Sequence, residues 1–170
     1  SYELTNGSGD NDNSSFIVQG NKILAASTFN FENQSLYTLR VQTTDKDNET
    51  YSTSFVITIG DVNDVPSDLA ASSQEVAENQ PEGTVVATFQ TADEDTADEH
   101  TYSFVNLQPN DHDAFYVMEN TLRTNKIFDY ETDSTYIVYI ETNDGNGGTL
   151  MEQFFIKITN ANDAPTALSM

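Results

Sequence analysis

The chain has 170 residues, no Cys and no Trp, and 28 Asp plus Glu against 6 Lys plus Arg, for a formal net charge of -22. That charge excludes nucleic acid as a natural partner, because neutralising phosphates takes clustered Lys and Arg, and it disfavours an anionic membrane surface for the same reason. The absence of Cys removes disulfides, thiol catalysis and zinc-thiolate sites together. No run approaches 18 consecutive apolar residues, so direct membrane insertion is not expected, and residues 1–20 carry no signal-peptide pattern. With 36% hydrophobic residues the chain can build small cores. Its clustered carboxylates repel one another until a divalent cation enters, whereas a purely solubilising role is the plainer reading of the same acidity.

An internal repeat organises the sequence. Phe29 matches Phe128, Glu32 matches Glu131, Tyr37 matches Tyr136, Asp45 matches Asp144, Phe55 matches Phe154, and Asp64 matches Asp163, each pair 99 positions apart. The same offset joins Phe16 to Phe115 and Asn21 to Asn120, so the chain reads as two copies of one domain, cut out of phase. The domains expected are 1–65, 66–165, and a further repeat or linker starting at 166–170. On that offset the first copy lacks its N-terminal strands in this sequence. It is either a fragment or is completed by strands from another chain or an unseen segment.

Copy two shows apolar residues at period 2, which predicts strands. Val76 marks a first strand, and 84–91 a second that includes Val86 and Phe89. A third at 101–105 points Tyr102 and Phe104 one way, then 115–118 and 121–124 flank a Glu-Asn turn. The strand 135–143 places Tyr136, Val138, Ile140 and Thr142 on one face, and 151–159 turns Phe154, Ile156 and Ile158 inward. Tyr37 and Tyr136 open their strands where a tyrosine corner would sit. Ile137, Tyr139 and Phe155 should then point outward as a small apolar patch. Seven short strands without a helical stretch predict an all-β fold, two tandem immunoglobulin-like Greek-key sandwiches with the first incomplete.

Between the copies lies Asp61-Val62-Asn63-Asp64-Val65-Pro66, which returns as Asn160-Ala161-Asn162-Asp163-Ala164-Pro165. Proline keeps each copy extended, and so many hard oxygen donors on a stiff segment suit calcium. Asp93-Glu94-Asp95 reads as a solvated acidic loop or as part of such a site. Asp144-Gly145-Asn146-Gly147-Gly148 reads first as a hairpin turn. Asp10-Asn11-Asp12 and Asp111-His112-Asp113 read as Asx-type turns. His100 and His112 are the available neutral-pH bases, and neither has a nucleophile motif beside it, so the chain is not expected to be an enzyme.

These pieces resemble a family. Glu78-Asn79 with Pro81-Glu82-Gly83, Asp93-Glu94-Asp95, Tyr102-Ser103-Phe104, Asp129-Tyr130-Glu131, Asp144-Gly145 and the Asp61-to-Pro66 linker are similar, in order, to the motifs of a cadherin repeat. Copy two resembles one over its whole length and copy one over its last two-thirds. The resemblance implies calcium at each junction. At the middle junction it implies ligation by Asn30, Glu32, Asp61, Asn63, Asp64 and the carbonyl of Val62, with Asp93, Asp95 and Asp144 from copy two. At the last junction it implies Glu78, Asp129, Glu131, Asn162 and Asp163. Asn30 and Asn160 stand where the family carries Asp, so those sites should be the weaker. The implied role is a calcium-binding extracellular adhesion or spacer module, at the cell surface or secreted, whose partners are neighbouring repeats and a homophilic, protein or polysaccharide receptor. The wording of the copies resembles bacterial repetitive surface proteins. The alternative is a carbohydrate-binding module of a secreted polysaccharide-active or biofilm protein.

Overall fold

The computed structural model describes residues 1–163. Ala164, Pro165 and the start of a further repeat or linker expected at 166–170 lie outside the described residues. Two units form, Ser1–Val62 and a second from Asn63 onward, and each is built from strands whose alternation the sequence already displays.

In the second unit the alternation of Thr135–Asn143 (β12) buries Tyr136, Val138, Ile140 and Thr142. Its partner Thr149–Thr159 (β13) buries Phe154, Ile156 and Ile158. They pair antiparallel from Thr135↔Lys157 to Asn143↔Thr149. Glu75–Ala77 (β7) and Thr101–Phe104 (β9) complete a sheet of order β7-β13-β12-β9. The facing sheet comprises Asp68–Ala71 (β6), Val85–Ala92 (β8), Phe115–Met118 (β10) and Thr121–Thr124 (β11), in the order β10-β11-β8-β6. Between them lies one core, with Val86, Ala87, Phe89, Phe115, Leu122 and Phe128 against the inner faces of β12 and β13. This is the expected sandwich, all strand apart from short 3₁₀ turns.

Two features depart from the sequence reading. The first strand is split: β6 pairs with β8 in one sheet, and after Ser72–Gln74 the chain crosses so that β7 runs parallel to β13 in the other. Strands of three or four residues carry too little alternation to reveal such a crossing. In β8, Val86, Ala87 and Phe89 are all buried, which a regular period of 2 forbids. A register shift opposite Leu122/Arg123 supplies the bulge that turns both sets inward.

The first unit has Leu36–Thr44 (β4) paired along its length with Thr50–Thr58 (β5), and Tyr2–Leu4 (β1) on the other side of β4. Phe16–Gln19 (β2) and Lys22–Ala25 (β3) form a separate hairpin. Its smaller core is Phe16, Tyr37, Leu39 and Val41, with Leu4, Phe29, Ile57 and Ile59 packed on it. Tyr37 and Tyr136 hold equivalent places, each ring packed against two phenylalanines: Phe16 and Phe29 in one copy, Phe115 and Phe128 in the other. Among the described residues no helix is long and apolar enough to cross a membrane.

The acidic loops expected to be Asx turns serve mainly as clamps. Asp10 does accept the Gly7 N–H at 2.9 Å, as a local turn would. Asp12 instead reaches across the fold to β4, its Oδ2 accepting the Thr38 N–H at 2.7 Å while its own N–H donates to the Thr38 carbonyl. Asp111 makes the same pair of bonds with Ile137 on β12. The Thr38 and Gln34 bonds hold the Asp12 carboxyl below its ordinary range. One residue on, Asn13 Oδ1 accepts the Arg40 N–H at 2.8 Å, and His112 Nε2 accepts the Tyr139 N–H at 3.3 Å at the matching place.

Accepting that bond requires a neutral imidazole with its proton on Nδ1. Burial lowers the His112 pKa, against the opposing charges of Asp111 and Asp113. A histidine with a depressed folded pKa contributes stability that is fully present above its unfolded value near 6.5 and lost as pH falls through the folded one. His112→Asn, which installs the acceptor used in copy one, should therefore leave the melting temperature near neutral pH little changed and flatten its fall over the acidic interval below about pH 6.5. Parallel melts of the two proteins across that interval check this.

Candidate metal centre

At one end of the second unit three loops converge: 63–65 before β6, 93–100 between β8 and β9, and 144–148 between β12 and β13. Asp144 is the most deeply held acid there, 2% exposed. Its Oδ1 accepts the N–H groups of Asn146, Gly147 and Gly148 at 2.7, 2.9 and 2.9 Å, and its Oδ2 accepts Asn63 Nδ2 at 3.0 Å. The Asn63 bond, followed by these backbone donors, holds the Asp144 carboxyl below its usual range against the opposing effect of burial. The segment is the expected hairpin turn as well, the Asp144 N–H donating to the Gly148 carbonyl at 3.2 Å. Gly148 is obligatory there, since a Cβ would collide with Asp144 Oδ2 and press on Val65.

The neighbouring loop is threaded in the same way. Asp93 has a side chain only 2% exposed, its Oδ2 lying 3.0 Å from His100 Nε2. The Asp95 N–H donates to Asp93 Oδ1, and Asp95 Oδ2 accepts the Asp64 N–H at 2.7 Å. Asp98, which the sequence reading passed over, offers an oxygen within 4.8 Å of oxygens of Asp93 and Asp144. Asn146 Nδ2 donates to its Oδ1 at 2.8 Å, whereas its Oδ2 is buried without a hydrogen-bond partner. A buried, unpaired carboxylate oxygen beside two other carboxylates is costly unless a cation completes it. Hard, clustered, partly desolvated oxygens of this kind fit calcium, which accepts six to eight oxygen ligands at roughly 2.3–2.6 Å.

Asn30, Glu32, Asp61 and Val62, the remainder of the implied middle set, belong to the first unit. Asn30 closes a turn there, its Oδ1 accepting the Asn33 N–H at 2.7 Å, much as Asp129 Oδ1 accepts the Glu131 N–H in the second copy. Glu32, Asp61 and Val62 are solvent-exposed, Val62 at 77%.

At the opposite end of the second unit the other implied set comes together. Glu78 is 1% exposed, and its two carboxylate oxygens accept the Tyr130 and Ala161 N–H groups, each at 2.7 Å. Oxygens of Glu78, Asp129 and Glu131 lie within 4.8 Å of one another. Asn79 Nδ2 donates to Asp163 Oδ1 at 2.7 Å, and Asn160 Nδ2 to Glu131 Oε1 at 3.0 Å. Asn162 Nδ2 donates to the Asp163 carbonyl as Asn63 Nδ2 does to that of Asp64, so the two linker copies adopt one local arrangement. Desolvation raises the Glu131 pKa, and the charges of Glu78, Asp163 and Asp129 add to it.

The outward patch expected on β12 and β13 is only partly present. Ile137 and Tyr139 are half-buried and Phe155 is 53% exposed. Beyond the end of β9 the chain continues along β12, with the Val105 N–H on the Tyr139 carbonyl and the Asp111 N–H on that of Ile137.

Residues 72–158 match the model of the Cadherin domain. The chain belongs to the cadherin family. It is 26% identical over 176 residues to mouse (Mus musculus) Protocadherin Fat 4, covering 99% of this chain but 3% of that protein's length. Two solved structures share the fold: human Protocadherin-24 EC1-2 Form II, with a TM-score of 0.76, 17% identity and coverage of 94% of this chain and 81% of that one, and Protocadherin Gamma B2 extracellular cadherin domains 3-6, with a TM-score of 0.71, 23% identity and coverage of 95% and 40%. The two units are thus tandem cadherin-like repeats, and the chain is an extracellular module of the adhesion type.

Proposed function

We propose that this pair of cadherin repeats is a calcium-stiffened segment of a larger repetitive cell-surface or secreted protein, of the bacterial type its loop wording resembles. The repeats are read as 1–65 and 66–165, with Asp61 to Pro66 as the junction. The observation that carries the reading is the hydrogen-bonded convergence of Asn63, Asp64, Asp93, Asp95 and Asp144, with an oxygen of Asp98 within 4.8 Å of oxygens of Asp93 and Asp144 and Asp98 Oδ2 buried without a partner. Asp144 and Asp93 are fixed in advance by backbone amides and His100, so little ordering entropy remains to oppose binding. Bound calcium would supply positive charge against the mutual repulsion of these acids. Asn63 and Asp64 tie that charge balance to the linker itself, and Asn30, Glu32, Asp61 and the Val62 carbonyl are assigned to the same junction from the first repeat. Glu78, Asp129, Glu131, Asn162 and Asp163 prepare the equivalent site for a following repeat. Neighbouring repeats are the immediate partners, with a homophilic or surface receptor beyond them, and no catalytic role is assigned.

A calorimetric calcium titration of the chelator-stripped chain, with melts at both end points, tests this. Two or three ions should bind. Each site at a hundredfold excess over its Kd adds about 2.7 kcal/mol to the folded state, so the second repeat's melting temperature should rise by roughly 10 °C or more. Asp64→Ala and Asp95→Ala should each remove most of that rise. Absence of binding at millimolar calcium would sink the proposal.

A further inference from the structure

Asp98 lies outside the set implied by the family motifs, yet the fold gives it the position of a ligand. We infer that Asp98 contributes its own carboxylate to the ion held by Asp93 and Asp144, an assignment that depends on the calcium reading above. Three observations carry it. An oxygen of Asp98 falls within 4.8 Å of oxygens of both Asp93 and Asp144. Asp98 Oδ2 is shielded from solvent and has no hydrogen-bond partner. Asn146 fixes the group in that state: its N–H is held by Asp144 Oδ1 at 2.7 Å and its Nδ2 donates to Asp98 Oδ1 at 2.8 Å. One asparagine therefore locks the two acids together and leaves Oδ2 uncommitted.

An acid kept only for structure would be bonded at both oxygens or turned to water. Here a carboxylate with one buried, undonated oxygen sits within 4.8 Å of two others, which opposes folding in the absence of a cation. The ligand class is a hard divalent cation of calcium's size, since the donors are all carboxylate oxygens and the chain has no Cys to offer a thiolate.

The test uses the whole chain and calcium chloride as the probe. Asp98→Asn keeps the acceptor for Asn146 and removes the charge; Asp98→Ala removes both. Calcium affinity at one site should fall roughly tenfold or more in each variant, since ligand charge count tunes these constants. In chelator, Asp98→Asn should melt at or above the temperature of the parent chain, the signature of a relieved repulsion. Unchanged calcium affinity in both variants would overturn the assignment and leave the calcium reading intact. A lower melting temperature for Asp98→Asn in chelator, with unchanged affinity, would show Asp98 to be structural. If the parent chain binds no calcium, both the reading and this assignment fall.

Discussion

Glu78→Ala is expected to cost the second repeat about 3 kcal/mol or more even in the absence of calcium. The carboxylate is buried at 1% exposure and serves as the acceptor for two backbone donors, Tyr130 and Ala161, both at 2.7 Å. Bonds to a charged acceptor contribute roughly 1.5–3 kcal/mol each, and leaving a buried donor unmet costs about 1–3 kcal/mol. Glu78→Gln retains one oxygen but turns an NH₂ group toward the second N–H, so its loss should fall between Ala and the parent. In a unit of this size the Ala variant should melt lower by roughly 12 °C or more. Hydrogen exchange distinguishes the mechanism: protection should fall in β7, β12 and β13 and stay constant in β4 and β5 of the first repeat. A loss that appeared only when calcium is present would assign Glu78 to metal binding alone.

Glu78 illustrates how far the sequence could be read. Motif resemblance marked it as a ligand, but its chief visible work, gathering the 128–131 turn and the 160–163 linker onto the end of β7, depends on long-range contacts that no local pattern encodes. Asp98 is the converse case. It belongs to no motif, and only the folding of 93–100 against 144–148 brings it beside Asp93 and Asp144. The strands with strong alternation, β12 and β13, were legible to the residue or nearly so, because burying one face fixes every second position. The β6 to β7 crossing and the bulge in β8 were not, since both are set by which sheet supplies the neighbouring edge. The clamp role of Asp12 and Asp111 was hidden for a similar reason: a short acidic loop looks the same whether its oxygens bond locally or across 26 residues.

The repeat itself provides the second large effect. Phe154 and Phe55 occupy one repeat position, paired across their sheets with Val138 and Leu39 in the same register. Their surroundings differ. Phe154 is 5% exposed and packs 5.6 Å from the Phe89 ring on the facing sheet, whereas Phe55 is 45% exposed beside an open pocket lined by Tyr2, Val18, Ile23 and Val41. Among the described residues of the first unit, nothing stands where β8 presents Val86, Ala87 and Phe89 in the second. Burial on one side of a strand requires a layer to bury against, and residue type alone does not supply it. Phe154→Ala should therefore cost about 3–5 kcal/mol through lost transfer energy and a cavity that the sandwich cannot close. Phe55→Ala should cost about 1 kcal/mol or less, since most of its ring already meets water. Amide exchange in β12 and β13 for the first variant, and in β4 and β5 for the second, reads each loss in its own repeat. Equal losses would mean that the opposing sheet is not what separates the two positions, and that β4 and β5 alone provide Phe55 with the burial its exposure denies.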